Sequence, residues 1–418
     1  MSAIYIAIGH LSKLVVGFIL LKLIAYYNGA EGLNQLGNLL TLVSVIVAFS
    51  GGGITNGVIK YSAQWRGDND NVSDLVSTSI IYSFVFGLIV IIILGINFNY
   101  VDKYIFNGIS ESFYYYVIFS IIILFYGVYN TYQGLAYGSD CVKSFPIIQI
   151  TSSFITITYF LLFFERGLLS SYNAIAFMLA SVALPFLYLF YNESSFTKKL
   201  VYRKPKLYIL KLLYPYTLMA FVGAVSFPFV EVVTRYLITD NLGAEMSGLW
   251  TAAIKLSLAI SAFFTLFLVY RLVPQMVVSD SPRAMFKLVV KYLGYIGIPY
   301  FFILTIAYMF REYYISYTLS ADFATLSNYL GYQFIGDFFK ILSYVMTIVT
   351  IAKSWPKIYI FGEIIQGFGF LLFTCFSLFF SPRLESVFLS YQYFYILYFI
   401  ISILFFLFYV LKRVDNNG

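Results

Sequence analysis

Apolar residues occur in this chain in long, nearly unbroken runs that short polar stretches separate. A run of about 20 apolar residues can cross a bilayer as a helix, and a helix is expected because lipid offers no partners to backbone polar groups. The pattern predicts an all-α integral membrane protein with twelve transmembrane helices. These runs cover roughly residues 5–26, 35–57, 75–97, 113–135, 146–164, 169–191, 212–236, 247–271, 286–308, 327–351, 357–380 and 390–411.

The composition agrees with a membrane protein. Hydrophobic residues make up 61% of the 418 residues and charged residues 11%, whereas soluble proteins carry about 25% charged residues. The loops are too short to hold a soluble catalytic domain, and the sequence has no Walker-type phosphate-binding loop, no Ser-His-Asp arrangement and no His/Cys set with metal-ligand spacing. We therefore exclude a water-soluble enzyme, expect no metal site, and look for the function among the helices.

The positions of Lys and Arg predict the orientation of the chain. With the N-terminus inside, 17 of the 26 Lys and Arg residues lie in inner segments and 4 in outer loops, while the others lie within the spans. Because loops rich in Lys and Arg stay in the cytoplasm, both termini are predicted to be cytoplasmic. This topology accounts for the net charge of +7, so nucleic acid is not an expected partner.

The two halves of the chain resemble each other in sequence. The segment GAEGL at 29–33 recurs as GAEMSGL at 243–249, and KSFP at 143–146 recurs as KSWP at 353–356. Six spans per half put both halves in the same orientation, which is the parallel repeat of an alternating-access transporter. We predict an N-terminal six-helix bundle (1–191), a basic cytoplasmic linker (192–211) and a C-terminal six-helix bundle (212–418).

Charged and polar residues inside the predicted spans are candidates for the functional site. A charge at the bilayer centre costs about 2.5–3.5 kcal/mol, so it should face a cavity or a partner. The tenth span has the longest polar stripe, in which four residues follow at spacings of 4, 3 and 4 on one helix face. This stripe consists of Gln333, Asp337, Lys340 and Tyr344. It predicts a water-filled lumen.

The charges within the spans suggest an anionic substrate. The predicted substrate-binding cations are Lys13, Lys22, Arg235, Lys255 and Lys340, with His10 beside Lys13. Three acids, Glu231, Asp337 and Glu363, are candidate sites for a coupling proton or sodium ion. The excess of cations favours a group such as pyrophosphate. Two simpler interpretations stay open, namely that Lys22 snorkels to the outer interface and that Glu231 and Arg235 form an intrahelical ion pair.

Several short motifs resemble a known family. They are GITNGVIKY at 53–61, TLMA at 217–220, GDFFK at 336–340 and IAK at 351–353, with Glu363 just beyond. The chain resembles the Wzx-type flippases of the MATE-like exporter superfamily, which includes the O-antigen and enterobacterial common antigen lipid flippases. The resemblance extends over essentially the whole length.

This resemblance implies a function in the bacterial inner membrane. The substrate would be an undecaprenyl-pyrophosphate-linked oligosaccharide, which is moved from the cytoplasmic to the periplasmic face without breaking covalent bonds. Side chains such as Asn56, Asn130 and Gln333 would bind its sugars. No bound cofactor is implied, and a proton or sodium gradient would supply energy. The expected partners are membrane lipids, an O-antigen polymerase and a chain-length regulator.

Two other functions compete with the flippase hypothesis. A multidrug exporter of the same fold usually presents acids and aromatic residues to cationic drugs, which the predicted excess of interior cations disfavours. An O-antigen polymerase typically carries a long outer loop with several basic residues. The longest predicted outer loop here, about 309–326, has only Arg311.

Overall fold

All regular structure in the described part of the chain is helical. The computed structural model describes residues 2–101, 112–138, 145–164, 181–182, 203–279, 281–319 and 321–415. Its first helices are α1 (Ser2–Ser50), α2 (Thr55–Gln64), α3 (Asn69–Ile96), α4 (Phe98–Val101), α5 (Ser112–Gly138) and α6 (Phe145–Phe164). They are followed by α7 (Leu207–Leu242), α8 (Ala244–Val277), α9 (Pro282–Met309), α10 (Arg311–Thr318), a 3₁₀ helix (Ala321–Asn328), α11 (Leu330–Ala352), α12 (Pro356–Phe380) and α13 (Leu384–Asp415).

Seven helices within the described ranges are long and apolar enough to cross a membrane. They are α3, α7, α8, α9, α11, α12 and the segment Leu384–Phe408 of α13. These spans confirm the predicted all-α membrane architecture. The count of twelve helices and the cytoplasmic location of both termini stay predictions.

The first two predicted spans, at 5–26 and 35–57, correspond to two helical parts of α1. These parts meet at a kink at Gly29, where the backbone is not helical. Gly29 has a φ of 61° and a ψ of −155°, a backbone conformation that glycine adopts readily because it lacks a Cβ. The kink lies where the sequence predicted the first outer loop. A second break lies between the end of α1 at Ser50 and the start of α2 at Thr55.

The structure divides into two compact units. Unit 1 comprises residues 1–20 and 39–225, and unit 2 comprises residues 21–38 and 226–418. The predicted linker at 192–211 lies mostly outside the described residues, so the predicted domain limits stay a prediction.

Within unit 1, small residues let helices approach closely. A Cβ at Gly134 of α5 would meet Val58 of α2, and one at Gly127 would lie 2.8 Å from the carbonyl oxygen of Ser50. Close approach at small residues is a common way for helices to associate in membranes. Asp68 caps the N-terminus of α3 by accepting a 3.1 Å hydrogen bond from the backbone N–H of Asn71.

Within unit 2, α11 is the most enclosed of the seven candidate spans. In its most apolar window 67% of the residues are buried, against 17–39% in the other six. Helices α8, α9, α12 and α13 surround it. Large buried side chains such as Trp250 and Tyr300 fill the space between these helices. Because α11 carries the polar stripe found in the sequence, this packing places polar groups in the interior of the unit.

Candidate functional site

The polar stripe of α11 forms a hydrogen-bonded network inside unit 2. Asp337 and Gln333 are 3% and 1% exposed. Asp337 Oδ1 accepts a 2.7 Å hydrogen bond from the phenol of Tyr391 on α13 and a 3.2 Å hydrogen bond from Gln333 Nε2. Gln333 Nε2 also donates to Ser257 Oγ of α8 at 3.3 Å. The stripe therefore connects three helices through their side chains.

Lys340 lies one turn further along the same face and is surrounded by aromatic rings. Its Nζ lies 4.4 Å from the ring centroid of Phe227, 5.2 Å from that of Tyr395 and 5.7 Å from that of Tyr391. An ammonium group within about 6 Å of a ring centroid is attracted by the ring's quadrupole. We call the rings of Phe227, Tyr391 and Tyr395 the aromatic cage.

Glu231 of α7 holds two cations. Arg235 Nη1 donates to Glu231 Oε2 at 3.3 Å, and Lys255 Nζ of α8 donates to the same oxygen at 3.5 Å. The side chains of Arg235 and Glu231 are 3% and 6% exposed. The first contact is the intrahelical ion pair that the sequence suggested, and the second joins α7 to α8.

A small cavity lies between these groups. It has a volume of about 20 Å³ and is lined by Glu231, Ser257, Gln333, Asp337 and Lys340 together with apolar and aromatic side chains. This space holds about one water molecule. Gln333 Oε1 is buried beside it without a hydrogen-bond partner among the described residues. Around these residues the interior of unit 2 is polar and leaves little free space. The water-filled lumen that the stripe predicted stays a prediction.

The charges of this interior are balanced. We call the six residues Glu231, Asp337, Glu363, Arg235, Lys255 and Lys340 the interior charges of unit 2. They comprise three acids and three bases. The predicted excess of cations depended on two further lysines. Lys22 is exposed, with its Nζ 4.7 Å from the ring centroid of Tyr317, and the side chain of Lys13, like that of His10, lies outside the described residues.

Glu363 of α12 lies beside a second cavity of unit 2. This cavity has a volume of about 90 Å³ and is lined mainly by apolar side chains, with Tyr359, Tyr398 and Thr347 among the polar ones. One turn along α12, Gln366 Nε2 donates a 3.1 Å hydrogen bond to the phenol of Tyr395. Glu363 therefore lines a larger space than the two other acids do.

Two predicted sugar-binding residues lie in unit 1. Asn130 is 7% exposed, and its Nδ2 donates a 3.0 Å hydrogen bond to the backbone oxygen of Val47. The amide nitrogen of Asn130 thus joins α5 to α1. Asn56 is exposed near the start of α2, where its amide is accessible.

A second charged cluster, which the sequence did not indicate, lies on unit 1. Arg203 contacts Asp70 Oδ1 at 2.7 Å and Asp74 Oδ1 at 3.2 Å. The pKa of Arg203 is raised by its hydrogen bonds to Asp70 and then to Asp74. Asp70 and Asp74 are four residues apart on α3, which was the available signal. These contacts fix the chain immediately before α7 to the start of α3.

The aromatic cage was also missed at the sequence level. The many Tyr and Phe residues could reflect composition alone, so they were not used as evidence for a site. The available signal was the spacing of Tyr391, Tyr395 and Tyr398 on α13, since residues three and four apart share a helix face.

Among the described residues, no group of three or more His, Cys, Asp or Glu residues could hold a metal ion.

Comparison with known proteins gives relatives at the level of sequence and of fold. No family model matches the chain. The lipid III flippases of Escherichia coli (strain K12) and Shigella flexneri are each 23% identical to it over 377 residues, which cover 87% of this chain and 88% of each relative.

Solved transporter structures share the fold. The Vibrio cholerae MATE transporter VcmN superposes with a TM-score of 0.75 at 13% identity, covering 98% of this chain and 96% of that one. An outward-facing multidrug resistance MATE transporter of the MOP superfamily gives 0.74 at 13% identity, covering 100% and 95%. A MOP superfamily transporter from Pyrococcus furiosus gives 0.70 at 12% identity, covering 97% and 94%.

These comparisons confirm the resemblance to MATE-like transporters at the level of the fold. The finer assignment to the Wzx-type branch stays a prediction. The chain has the all-helical fold of these MATE transporters, and its sequence is similar to those of the lipid III flippases.

Proposed function

We propose that this chain is a flippase that moves undecaprenyl-pyrophosphate-linked O-antigen repeat units from the cytoplasmic to the periplasmic face of the bacterial inner membrane. Its similarity to the lipid III flippases over 87% of its length supports a lipid-linked substrate. The observation that carries the proposal is the set of three basic side chains, Arg235, Lys255 and Lys340, held inside an apolar helical unit. Such groups are costly in a membrane and are typical of substrate pathways.

The chemistry of the substrate fits these side chains. A pyrophosphate carries several negative charges and accepts hydrogen bonds from guanidinium and ammonium groups. Lys13, Lys22 and His10 are further candidates for contacts with the phosphates, and Asn56, Asn130 and Gln333 for contacts with the sugars. The polyprenyl tail is apolar and stays in the bilayer while the head crosses.

Alternating access follows from competition for the same cations. Without substrate, Glu231 holds Arg235 and Lys255. A pyrophosphate that binds these two cations weakens their contacts with Glu231, which then becomes a site for a proton or a sodium ion. Asp337 and Glu363 are the two other proposed coupling residues. Binding of substrate and binding of the coupling ion are linked in this way, and a conformational change follows only when both are in place.

A multidrug exporter is the second candidate function. It is favoured by the three acids, which attract cations, and by the similarity in fold to a multidrug resistance transporter. The two candidates differ in the charge of the substrate. An O-antigen polymerase has less support, because the named relatives are flippases and transporters.

The deciding experiment uses a strain that lacks this gene. Polyprenyl-linked glycans are extracted, and surface lipopolysaccharide is separated on a gel. We expect loss of long-chain surface glycan and accumulation of complete repeat units on the cytoplasmic face, both reversed by the wild-type gene. Unchanged long chains with altered tolerance to cationic drugs would support the exporter. Single repeat units on the surface without chain extension would indicate a polymerase.

A further inference from the structure

The aromatic cage has the features of a binding site for a monovalent organic cation. Three rings surround one point at distances of 4.4 to 5.7 Å, whereas a surface lysine such as Lys291 has one ring, that of Tyr295, at 5.4 Å. Each ring contact adds to the attraction for a cation, and this attraction is stronger when the cation is desolvated. The cage is therefore a more attractive environment for an ammonium group than a single exposed ring.

Three acidic side chains and an amide oxygen without a hydrogen-bond partner among the described residues lie near the Lys340 ammonium. Asp337, Glu231 and Glu363 are all close enough to attract the Lys340 ammonium electrostatically. Gln333 Oε1 is buried beside the adjoining cavity and has no partner among the described residues. The site thus offers carboxylates, an amide oxygen and aromatic faces, which are the groups that an alkylammonium ion requires.

The cation in this site belongs to the chain itself. Lys340 Nζ lies within 5.7 Å of all three ring centroids, and no hydrogen bond to it is found within the described residues. Its position is therefore fixed by ring contacts and by long-range attraction to the acids. A contact of this kind is less directional than a bidentate ion pair, so the ammonium can leave the cage without breaking a specific hydrogen bond.

We propose that the aromatic cage is a binding site for a monovalent ammonium ion, and that the side chain of Lys340 is its resident ligand. While Lys340 occupies the cage, a free organic cation is excluded by steric overlap and by charge repulsion. This exclusion distinguishes the interior of unit 2 from that of a transporter for cationic drugs.

A consequence for transport rests on the proposed function. An anionic head group that enters the interior competes with the cage for Lys340. When Lys340 turns toward the phosphates, the cage and Asp337 lose their cation together. Lys340 is then a positioning group. Its movement makes the electrostatic environment of Asp337 depend on whether substrate is bound. This step involves only the movement of a charged side chain, and no covalent bond forms or breaks.

The experiment replaces the tethered ammonium by a free one. Lys340→Ala removes the side chain and leaves room for a small ion, whereas Lys340→Met removes the charge but fills the space. The purified full-length variants are heated in detergent with increasing methylammonium chloride, and sodium chloride keeps the ionic strength constant. At about ten times the dissociation constant, we expect methylammonium to raise the unfolding midpoint of Lys340→Ala by about 1–2 °C.

Three controls make the result specific. We expect no such rise for three control proteins. In wild type and in Lys291→Ala the side chain of Lys340 occupies the cage, and in Lys340→Met the methionine side chain fills it. No rise for a folded Lys340→Ala protein would overturn the proposal, and so would an equal rise for wild type. If Lys340→Ala does not fold in plain medium, its recovery as monodisperse protein is compared with and without methylammonium during extraction. No recovery in either condition, while Lys340→Met folds, also counts against the site.

The outcome is separable from the flippase hypothesis. The stability measurement needs neither substrate nor transport, so it tests the cation site even if the chain transports another molecule. The glycan analysis of the deletion strain tests the flippase without reference to the cage. If both hold, methylammonium in the medium should partly restore long-chain glycan to cells with Lys340→Ala and leave cells with Lys340→Met unchanged.

Discussion

The phenol of Tyr391 donates a 2.7 Å hydrogen bond to Asp337 Oδ1, while its ring forms one wall of the aromatic cage. One residue thus contacts the acid through its hydroxyl and the lysine through its π face. This arrangement fixes Asp337 relative to Lys340 and makes the two functions of the Tyr391 side chain experimentally separable.

Tyr391→Phe should remove the hydrogen bond and keep the ring. Because a buried carboxylate loses one of its donors, we expect the variant to be less stable by about 1–3 kcal/mol. The measurement is thermal or denaturant unfolding of the purified protein. Tyr393→Phe is the matched control, since Tyr393 is 57% exposed on the same helix. Equal stability of Tyr391→Phe and wild type would show that this hydrogen bond does not support the folded state.

Arg235→Ala should reduce flipping while the protein still reaches the membrane. The substitution removes one of the three basic side chains proposed to bind the phosphates. The contact of Glu231 with Lys255 stays in place. We expect at least a tenfold loss of long-chain surface glycan at native expression, normalised to the protein level in membranes. Normal surface glycan would contradict a role of Arg235 in substrate binding.

Asp337→Asn should weaken transport mainly because Lys340 loses its nearest counter-charge. Asparagine keeps the size of the side chain and a hydrogen-bonding group for Tyr391, so the fold should persist. The second variant combines Asp337→Asn with Lys340→Gln and removes both charges. If this double variant restores wild-type glycan, the two charges serve only the structure and the coupling hypothesis fails at this pair.

The first turn of α3 should lose stability in acid. The pKa of Asp68 is lowered below its ordinary value of 3.8, chiefly by the hydrogen bond from the backbone N–H of Asn71 and then by that from the Asn71 side chain. A lowered pKa in the folded state gives stability that is present above the ordinary pKa and is lost as pH falls through the lowered one. Amide exchange at the start of α3 should therefore accelerate below pH 3.8.

Asp68→Asn is the control for this pH dependence. Asparagine also caps helices well but does not titrate, so its exchange should show no additional acceleration in acid. The same acceleration in both proteins would exclude Asp68 as the cause.

Gly248→Ala should be destabilising, whereas Gly294→Ala should not. A Cβ at Gly248 would collide with the backbone carbonyl of Ala30, whereas a Cβ at Gly294 has no heavy atom within 4 Å. Overpacking typically costs about 1–3 kcal/mol, whereas alanine in an open helical position gains about 0.5–1 kcal/mol over glycine. Unfolding midpoints of the two purified variants test the difference, and equal midpoints would contradict the close contact.

The sequence predicted the features of this molecule that depend on residues close together in the sequence. The stripe from Gln333 to Lys340 follows from helix periodicity, and its residues share a face as expected. The ion pair of Glu231 with Arg235 follows in the same way. Hydrophobic length alone was enough to predict the all-helical membrane fold.

Contacts between distant segments could not be predicted in this way. Lys255 has no acid nearby on its own helix, and its partner Glu231 comes from α7. The enclosure of Lys340 depends on rings from α7 and α13, which only the packing brings together. The composition of the spans shows which charges they carry but not which side chains meet. The enclosure of Lys340 could therefore not be predicted from it.

The balance of the interior charges has an electrical consequence. A group of three positive and three negative side chains that moves as one carries no net charge through the membrane field, so the voltage does no net work on it. A single unbalanced charge would change the energy by about 2.3 kcal/mol for each 100 mV crossed. Where the cell interior is negative, an anionic head group that travels outward moves in the favourable direction. Under the proposed function, the membrane potential would act on the cargo and on the bound coupling ion rather than on the carrier's own charged side chains.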